Sequence, residues 1–570
     1  MDIEQKLQEA IVFHQSGQLQ RAEQIYQQVL QISPRNADAL NLLGFLAYQV
    51  GRCEVAANLI TKAIEVDSKQ YIFFINLGLV RQEQGELDKS IEAYHKAIEI
   101  NPNDARIYYN LGAAQKKQGK LDNAIQTYQQ AIEINPDDAE IYNSLGTTLQ
   151  KQEKLDQAIQ VYHRALEINS NYSEAFYNLG LALQEQGELD QAIQVYHRAL
   201  EINPNYSEAY NNLGNVLKEQ GKLDDAVLAY RSALGINPDY SEAHNNLGLV
   251  LLLQGNFSSG WREYEWRLKC KELGFFLNKR DFPQVFWNGS DLNGKTILVW
   301  AEQGIGDEIM LASMLPTLLK MNSNIIVECD KRLVPLFQRS FPFIQFVPRE
   351  DSANPKLLDT TIDYQIPMGS LGQWLRADKD AFLPKQESYL QACPNRVGQL
   401  QEKYRSLAGD KLLVGISWKS TGIDKKRAQT KNAPLKHWTP ILSQKDCYFV
   451  NLQYGNIREE IEAYTTATGY PVYIDEEIDP LSDLDGFAAQ VSVLDLIVST
   501  SNTTVHMSGG LGKKVWVLLS SRPDWRWMLG RDDSLWYQTV RLFRQEKLRD
   551  LESVLQRVSF SLGKDCSLFN

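Results

Sequence analysis

The chain has 570 residues, 43% hydrophobic and 10% aromatic, and its formal net charge of −12 argues against a general binder of nucleic acid or anionic membrane, which needs a positive field. Six cysteines, at 53, 270, 329, 393, 447 and 566, include no Cys-x-x-Cys pair, so neither a zinc site nor a disulfide framework is indicated and buried free thiols are expected. The start MDIEQKLQEA has no basic segment followed by an apolar one, and no apolar run reaches the roughly 20 residues of a membrane span, so the chain reads as cytoplasmic.

Residues 1–270 read as a repeat array. Glycines at 44, 78, 112, 146, 180, 214 and 248 recur every 34 residues, each preceded by leucine. A second series runs Ala22, Ala56, Ser90, Ala124, Ala158, Ala192 and Ala226, each followed four residues later by Tyr26, Ile60, Tyr94, Tyr128, Tyr162, Tyr196 or Tyr230. Glycine inside a helix costs about 0.8–1 kcal/mol relative to alanine, so its regular use predicts close approach of two helices. Glycines 17, 51, 85, 119, 187, 221 and 255 stop the first helix of each pair, with Glu153 as the exception. The last unit keeps Gly260 and Tyr264 in frame and loses the period after Trp266-Arg267-Leu268. These positions, with prolines 34, 102, 136, 204 and 238 and departures at Ser68 and Ser170, resemble the tetratricopeptide signature. Eight such pairs predict an α solenoid with a long concave groove.

Two residues before the signature glycine stand Asn76, Asn110, Asn178, Asn212 and Asn246, with Leu42 and Ser144 as departures. One amide offers a donor and an acceptor to a peptide bond whatever its side chain. The row resembles the asparagine ladder of O-GlcNAc transferases, which implies an extended protein or peptide partner in the groove. Hydrogen bonding between neighbouring repeats is the alternative use of the same amides.

Residues 271–290 read as a linker, with turn signals at Phe282-Pro283 and Asn288-Gly289-Ser290. A first α/β half follows over 291–408. Its strand 296–300 leads through Glu302-Gln303-Gly304-Ile305-Gly306-Asp307-Glu308 into a helix expected from Ile309 to about Lys320, and further strands are expected at 325–328, 344–347 and 364–366. A second half over 409–545 has strands from Leu412 and from Phe449, a helix from about Asp485, and a strand at 496–498. Its turn 499–502 opens a helix at Thr503 that carries His506, and the strand 515–519 follows. A strand that delivers a helix start makes an anion seat of free N–H groups and helix dipole, to which the Thr503 and Thr504 hydroxyls add donors. Ligands of parallel sheets lie beyond the strand C-termini, where this turn falls. Residues 546–570 read as a closing helix.

Asn502-Thr503-Thr504-Val505-His506, the following Gly-Leu-Gly-Lys-Lys-Val-Trp-Val-Leu-Leu and Pro523-Asp524-Trp525-Arg526-Trp527 resemble the donor half of GT-B glycosyltransferases related to bacterial heptosyltransferases. The subgroup fused to tetratricopeptide repeats is the most similar; Ser501-Asn502 stands where heptosyltransferases carry Asp-Thr. The resemblance covers about 283–545 and implies a GT-B fold of two Rossmann-like halves. It implies transfer of a sugar from a nucleoside-diphosphate donor to a hydroxyl, with the solenoid binding the acceptor, a protein or else a cell-surface glycan or lipid-linked acceptor. A non-catalytic scaffold with a degenerate transferase half is the competing reading.

Among site residues, the resemblance implies Asp307 as catalytic base and Gly304 and Gly306 as the acceptor-side loop. Glu302 and Glu308 are rivals on the same turn, and Asp at a helix start is also a favoured cap. The donor set implied is Ser417, Lys419, Gln453, Glu459, Asn502, Thr503, Thr504 and His506, the histidine near the diphosphate. Lys419, Lys425, Lys426, Arg427, Lys431 and Lys436 form a basic island in an acidic chain that would meet the leaving group. No metal cofactor is expected: Asp483-Leu484-Asp485 matches the Asp-x-Asp of metal-dependent enzymes, but its place before Gly486 and an apolar helix favours a pair of helix caps.

Overall fold

The computed structural model describes residues 3–270, 280–382, 388–420, 432–547 and 550–569, with side chains through Lys564 in the last segment. They form two compact units that divide between Val216 and Leu217, inside the helix Ser207–Glu219.

In the first unit the repeat follows the sequence period, as helix pairs from Ile3–Gln15 and Leu19–Ile32 onward. The mid-helix glycines are required by packing. A Cβ at Gly146 would stand 2.5 Å from the Tyr162 ring, and one at Gly180 would stand 2.6 Å from Tyr196. Both tyrosines are buried, so a methyl group there forces the two helices apart. Glu153, where the other repeats have their turn glycine, adopts the same left-handed backbone with φ +60°, a conformation that costs an L-residue about 1 kcal/mol.

The second unit begins with the last solenoid helices, Leu223–Ile236, Ser241–Gln254 and Phe257–Tyr264, and a 3₁₀ turn, Glu265–Leu268. Two five-stranded sheets follow. The first contains β1 (Val285–Phe286), β2 (Thr296–Trp300), β3 (Asn324–Cys329), β4 (Gln345–Pro348) and β5 (Tyr364–Pro367) in the order β1-β5-β2-β3-β4. The second contains β6 (Leu412–Ser417), β7 (Cys447–Asn451), β8 (Leu496–Thr500), β9 (Val515–Leu519) and β10 (Val540–Arg544) in the order β10-β9-β8-β6-β7. Every pairing between these strands is parallel. Runs such as Leu-Leu-Val-Gly-Ile-Ser in β6 and Val-Trp-Val-Leu-Leu in β9 are buried throughout, as strands covered on both faces must be. Winding reverses between β2 and β5 in one sheet and between β6 and β8 in the other, which opens a crevice at the strand C-termini of each. The helix Leu551–Phe569 closes the second sheet, with Val554, Leu555, Val558 and Leu562 in the same core as Trp418, Trp438 and Trp516.

Two expectations are corrected. The segment 271–290 is not linker throughout: Val285 and Phe286 pair with Tyr364 and Gln365 as an edge strand, too short to show in a hydrophobic pattern, while 271–279 lies outside the described residues. The helix expected from Ile309 begins at Ile305 and ends at Ala312, and a separate turn, Leu315–Leu319, carries Pro316, which cannot donate the hydrogen bond that would continue the first helix. The final solenoid helix is a wall of the α/β unit. Trp261 Nε1 donates to the Arg376 carbonyl at 2.8 Å and its indole meets Trp525 edge-to-face at 5.3 Å. Of the described cysteines 53, 329 and 393 are free, and 270, 329 and 447 are buried.

Candidate functional site

The site grows from two strand ends. In the first sheet, β2 runs into Ala301-Glu302-Gln303 and the helix Ile305–Ala312, whose extended N-cap is Gly304. Asp307 is therefore in the first turn and is not the cap. In the second sheet, β8 runs through Ser501 and Asn502 into the helix Thr503–Gly510. The two helix starts meet at Gly306. A Cβ there would stand 3.0 Å from His506 Cδ2 and 3.4 Å from Thr503 Oγ1, so a larger residue would separate the helices.

Glu302, Asp307 and Glu308 lie on one turn and have three different environments. Glu302 is buried and accepts from Arg267 at 2.9 Å and from the Gly369 N–H at 3.2 Å. Glu308 is buried, pairs with Arg349 at 2.9 Å and accepts the Asp330 N–H at 2.9 Å. Asp307 keeps 24% of its side chain exposed and ion-pairs with Arg526. Of the three carboxylates only Asp307 reaches solvent.

Burial raises the Glu308 carboxyl to about 7, with Arg349 and the Asp330 N–H opposing the shift. A carboxyl whose folded pKa lies above its ordinary 4.5 contributes stability that is present below 4.5 and is lost as pH rises through about 7. Glu308→Gln removes this term. Relative to that variant, the wild type should lose stability between pH 4.5 and 7, by a few kcal/mol at most, with a flat difference above; chemical denaturation of both proteins across that range reads it.

The donor-side candidates converge, but largely on one another. Gln453 Oε1 accepts from Ser417 Oγ at 3.0 Å, from Trp418 N at 2.9 Å and from Lys419 N at 2.7 Å. Asn502 caps its helix by accepting the Thr504 N–H at 3.0 Å, and its amide donates to Ser417 Oγ at 2.8 Å and to the Lys419 carbonyl at 3.0 Å. This buried network ties the ends of β6 and β8 across the point where the winding reverses. Thr504 is buried and Thr503 half-buried. His506 is buried, stacks on Trp527 at 5.7 Å and has Nδ1 2.9 Å from the Tyr537 hydroxyl. Lys419 pairs with Glu460, to which Trp418 Nε1 also donates at 3.2 Å, whereas the neighbouring Glu459 is exposed. Lys436 is exposed, and Lys425, Lys426, Arg427 and Lys431 lie outside the described residues. Asp483 caps the helix Leu484–Ser492 through the Gly486 N–H at 2.9 Å and pairs with Arg396; Asp485 pairs with Arg339.

Sequence reasoning missed Arg526 as a site residue. The available signal was an arginine between two tryptophans in Pro523-Asp524-Trp525-Arg526-Trp527, a tract noted above only for its resemblance. It also missed Tyr264, the last signature tyrosine, whose hydroxyl accepts from Gln303 at 3.0 Å.

In the solenoid, the Asn76 amide donates to Asn41 Oδ1, that of Asn178 to Asn143 Oδ1 and that of Asn212 to the Tyr177 hydroxyl, each at 2.9 Å. Each bond reaches back one repeat, so these amides brace neighbouring repeats. Asn110 is half-buried in the same unit; Asn246 is half-buried on Ser241–Gln254 of the other.

Against known proteins, models described as TPR repeat match residues 78–119, 116–153, 149–187, 183–221 and 214–255, and one described as tetratricopeptide repeat matches 13–71. The chain carries tetratricopeptide repeats. It is similar to protein FlbA of Caulobacter vibrioides, 32% identical over 315 residues, which is 53% of this chain and 52% of FlbA. The chain thus spans about half the length of that relative. Among solved structures it is similar to YrrB, described as a TPR protein with an unusual peptide-binding site, at 28% identity and TM-score 0.29 over 33% of this chain and 96% of YrrB. MamA is likewise similar at 28% identity and TM-score 0.28, over 29% of this chain and 97% of MamA. Among the described residues no helix is long and apolar enough to cross a membrane.

Proposed function

We propose that this tetratricopeptide-repeat chain is a GT-B glycosyltransferase that moves a sugar from a nucleoside-diphosphate donor to a hydroxyl of a protein held by its solenoid. The observation that supports it is the meeting of two parallel sheets' helix starts at Gly306, with Asp307 contributed by one and Thr503 and His506 by the other. Transfer needs a base for the acceptor hydroxyl and donors for the departing diphosphate. In this reading Asp307 accepts the proton, while Arg526 and the N–H groups opening Thr503–Gly510 receive the phosphates without a metal.

A protein acceptor suits a repeat array, whose concave face is an extended binding surface. The bracing of Asn76 and Asn178 is compatible with it. Each spends an amide N–H on its neighbour, and the carbonyl oxygens take no hydrogen bond from the described residues, which leaves acceptors for a peptide N–H. The scaffold reading has one observation in its favour: Ser417, Gln453 and Asn502 direct their polar atoms at one another.

Nucleoside-diphosphate release from UDP-GlcNAc, GDP-fucose and ADP-heptose by the wild type tests the proposal, with calorimetric binding of the same donors beside it. Slow release from one donor, faster when a protein acceptor is added, is expected. Neither release nor binding with any donor would favour the scaffold.

A further inference from the structure

Arg526 sits in the 3₁₀ turn Trp525–Trp527 beyond β9, with only 14% of its side chain exposed. Its guanidinium lies 4.9 Å from the centre of the Trp525 ring, pairs with Asp524 at 2.5 Å and also pairs with Asp307 at the helix start of the other sheet. The Nε atom is buried and has no hydrogen-bond partner among the described residues. A guanidinium offers five donors in a fixed fork, so the bonds to Asp524 and Asp307 leave donors of this cation over.

Its two counter-ions differ. Asp524 is 6% exposed and bound to the same turn as the arginine, whereas Asp307 is 24% exposed and belongs to the opposite sheet's helix. Asp524 is the fixed partner and Asp307 the exchangeable one. We propose that Arg526 is the anion-binding cation of this site and Asp307 its resting counter-ion, so that an arriving diphosphate takes the guanidinium and releases the Asp307 carboxylate towards the acceptor hydroxyl. This inference rests on the transferase reading and deepens it. A diphosphate can win the exchange because it carries more charge and matches the guanidinium fork through two oxygens. The exchange also imposes an order, donor before acceptor, because Asp307 is engaged until the phosphates arrive.

The consequence is that removing the carboxylate improves anion binding. Calorimetric titration of the full chain with inorganic pyrophosphate at fixed ionic strength, for wild type, Asp307→Asn, Arg526→Lys and Arg526→Gln, reads this directly. Asp307→Asn should bind pyrophosphate about 10-fold more tightly, equivalent to about 1.4 kcal/mol, and Arg526→Gln should bind it at least about 10-fold more weakly, with Arg526→Lys between. Equal or weaker binding by Asp307→Asn, or no binding by any of the four, overturns the proposal. Because Arg526→Gln strands Asp524, the near-isosteric Asp307→Asn decides alone should that variant not fold. Tightening in Asp307→Asn without donor turnover by the wild type would remove the transferase reading and leave the ion exchange standing. Turnover with unchanged pyrophosphate affinity would remove the exchange alone.

Discussion

Asp307→Asn is expected to lower the rate of sugar transfer by about 10²- to 10⁴-fold, the range general-base catalysis contributes. The other two carboxylates of the turn cannot replace it. Glu302 is held by Arg267 and the Gly369 N–H, and Glu308 by Arg349 and the Asp330 N–H, and both are buried. Asparagine is close in shape, so the helix start and its contact with Thr503 and His506 should persist. The loss should therefore fall on kcat, with donor KM lowered. Steady-state kinetics with the donor identified by the release screen reads it. A loss of less than about 10-fold would mean that the proton leaves by another route.

Arg267→Ala is expected to cost about 3–5 kcal/mol, the usual penalty for breaking a buried ion pair from one side. Arg267 is 1% exposed and Glu302 0%, and the same guanidinium also donates to Ser370 Oγ at 2.8 Å. Alanine leaves a carboxylate in the interior without its cation and frees the 3₁₀ turn Glu265–Leu268 from the first sheet. The double variant Arg267→Met with Glu302→Gln should recover much of the loss, because it removes both charges. Denaturant unfolding of the two variants measures the difference; a cost of under about 1 kcal/mol for Arg267→Ala would show that the pair is dispensable.

The repeats were legible because their signal is local and repeated. A mid-helix glycine and the side chain it packs against are 16 residues apart, as in Gly44 and Ile60 or Gly146 and Tyr162, and a period of that kind survives single departures such as Glu153. The sheets were legible for a related reason: parallel strands are covered on both faces, so they read as short apolar runs. The same logic hid β1, which is two residues long and exposed, and made the first-sheet helix start late, since Gly304 as an extended cap carries no side-chain signal.

What the sequence by itself determined is the solenoid, the two α/β halves and the pair of strand–helix turns that carry the candidate chemistry, because each is written in residues a few positions apart. The tertiary structure alone decided which of Glu302, Asp307 and Glu308 reaches solvent, that Ser417, Gln453 and Asn502 bind one another, and that Trp261 belongs to the α/β unit. It alone paired Asp307 with Arg526, 219 residues away. Such contacts join side chains from different sheets, so their energy depends on distance and burial in the folded chain, and neither leaves a spacing in the sequence from which it could be read.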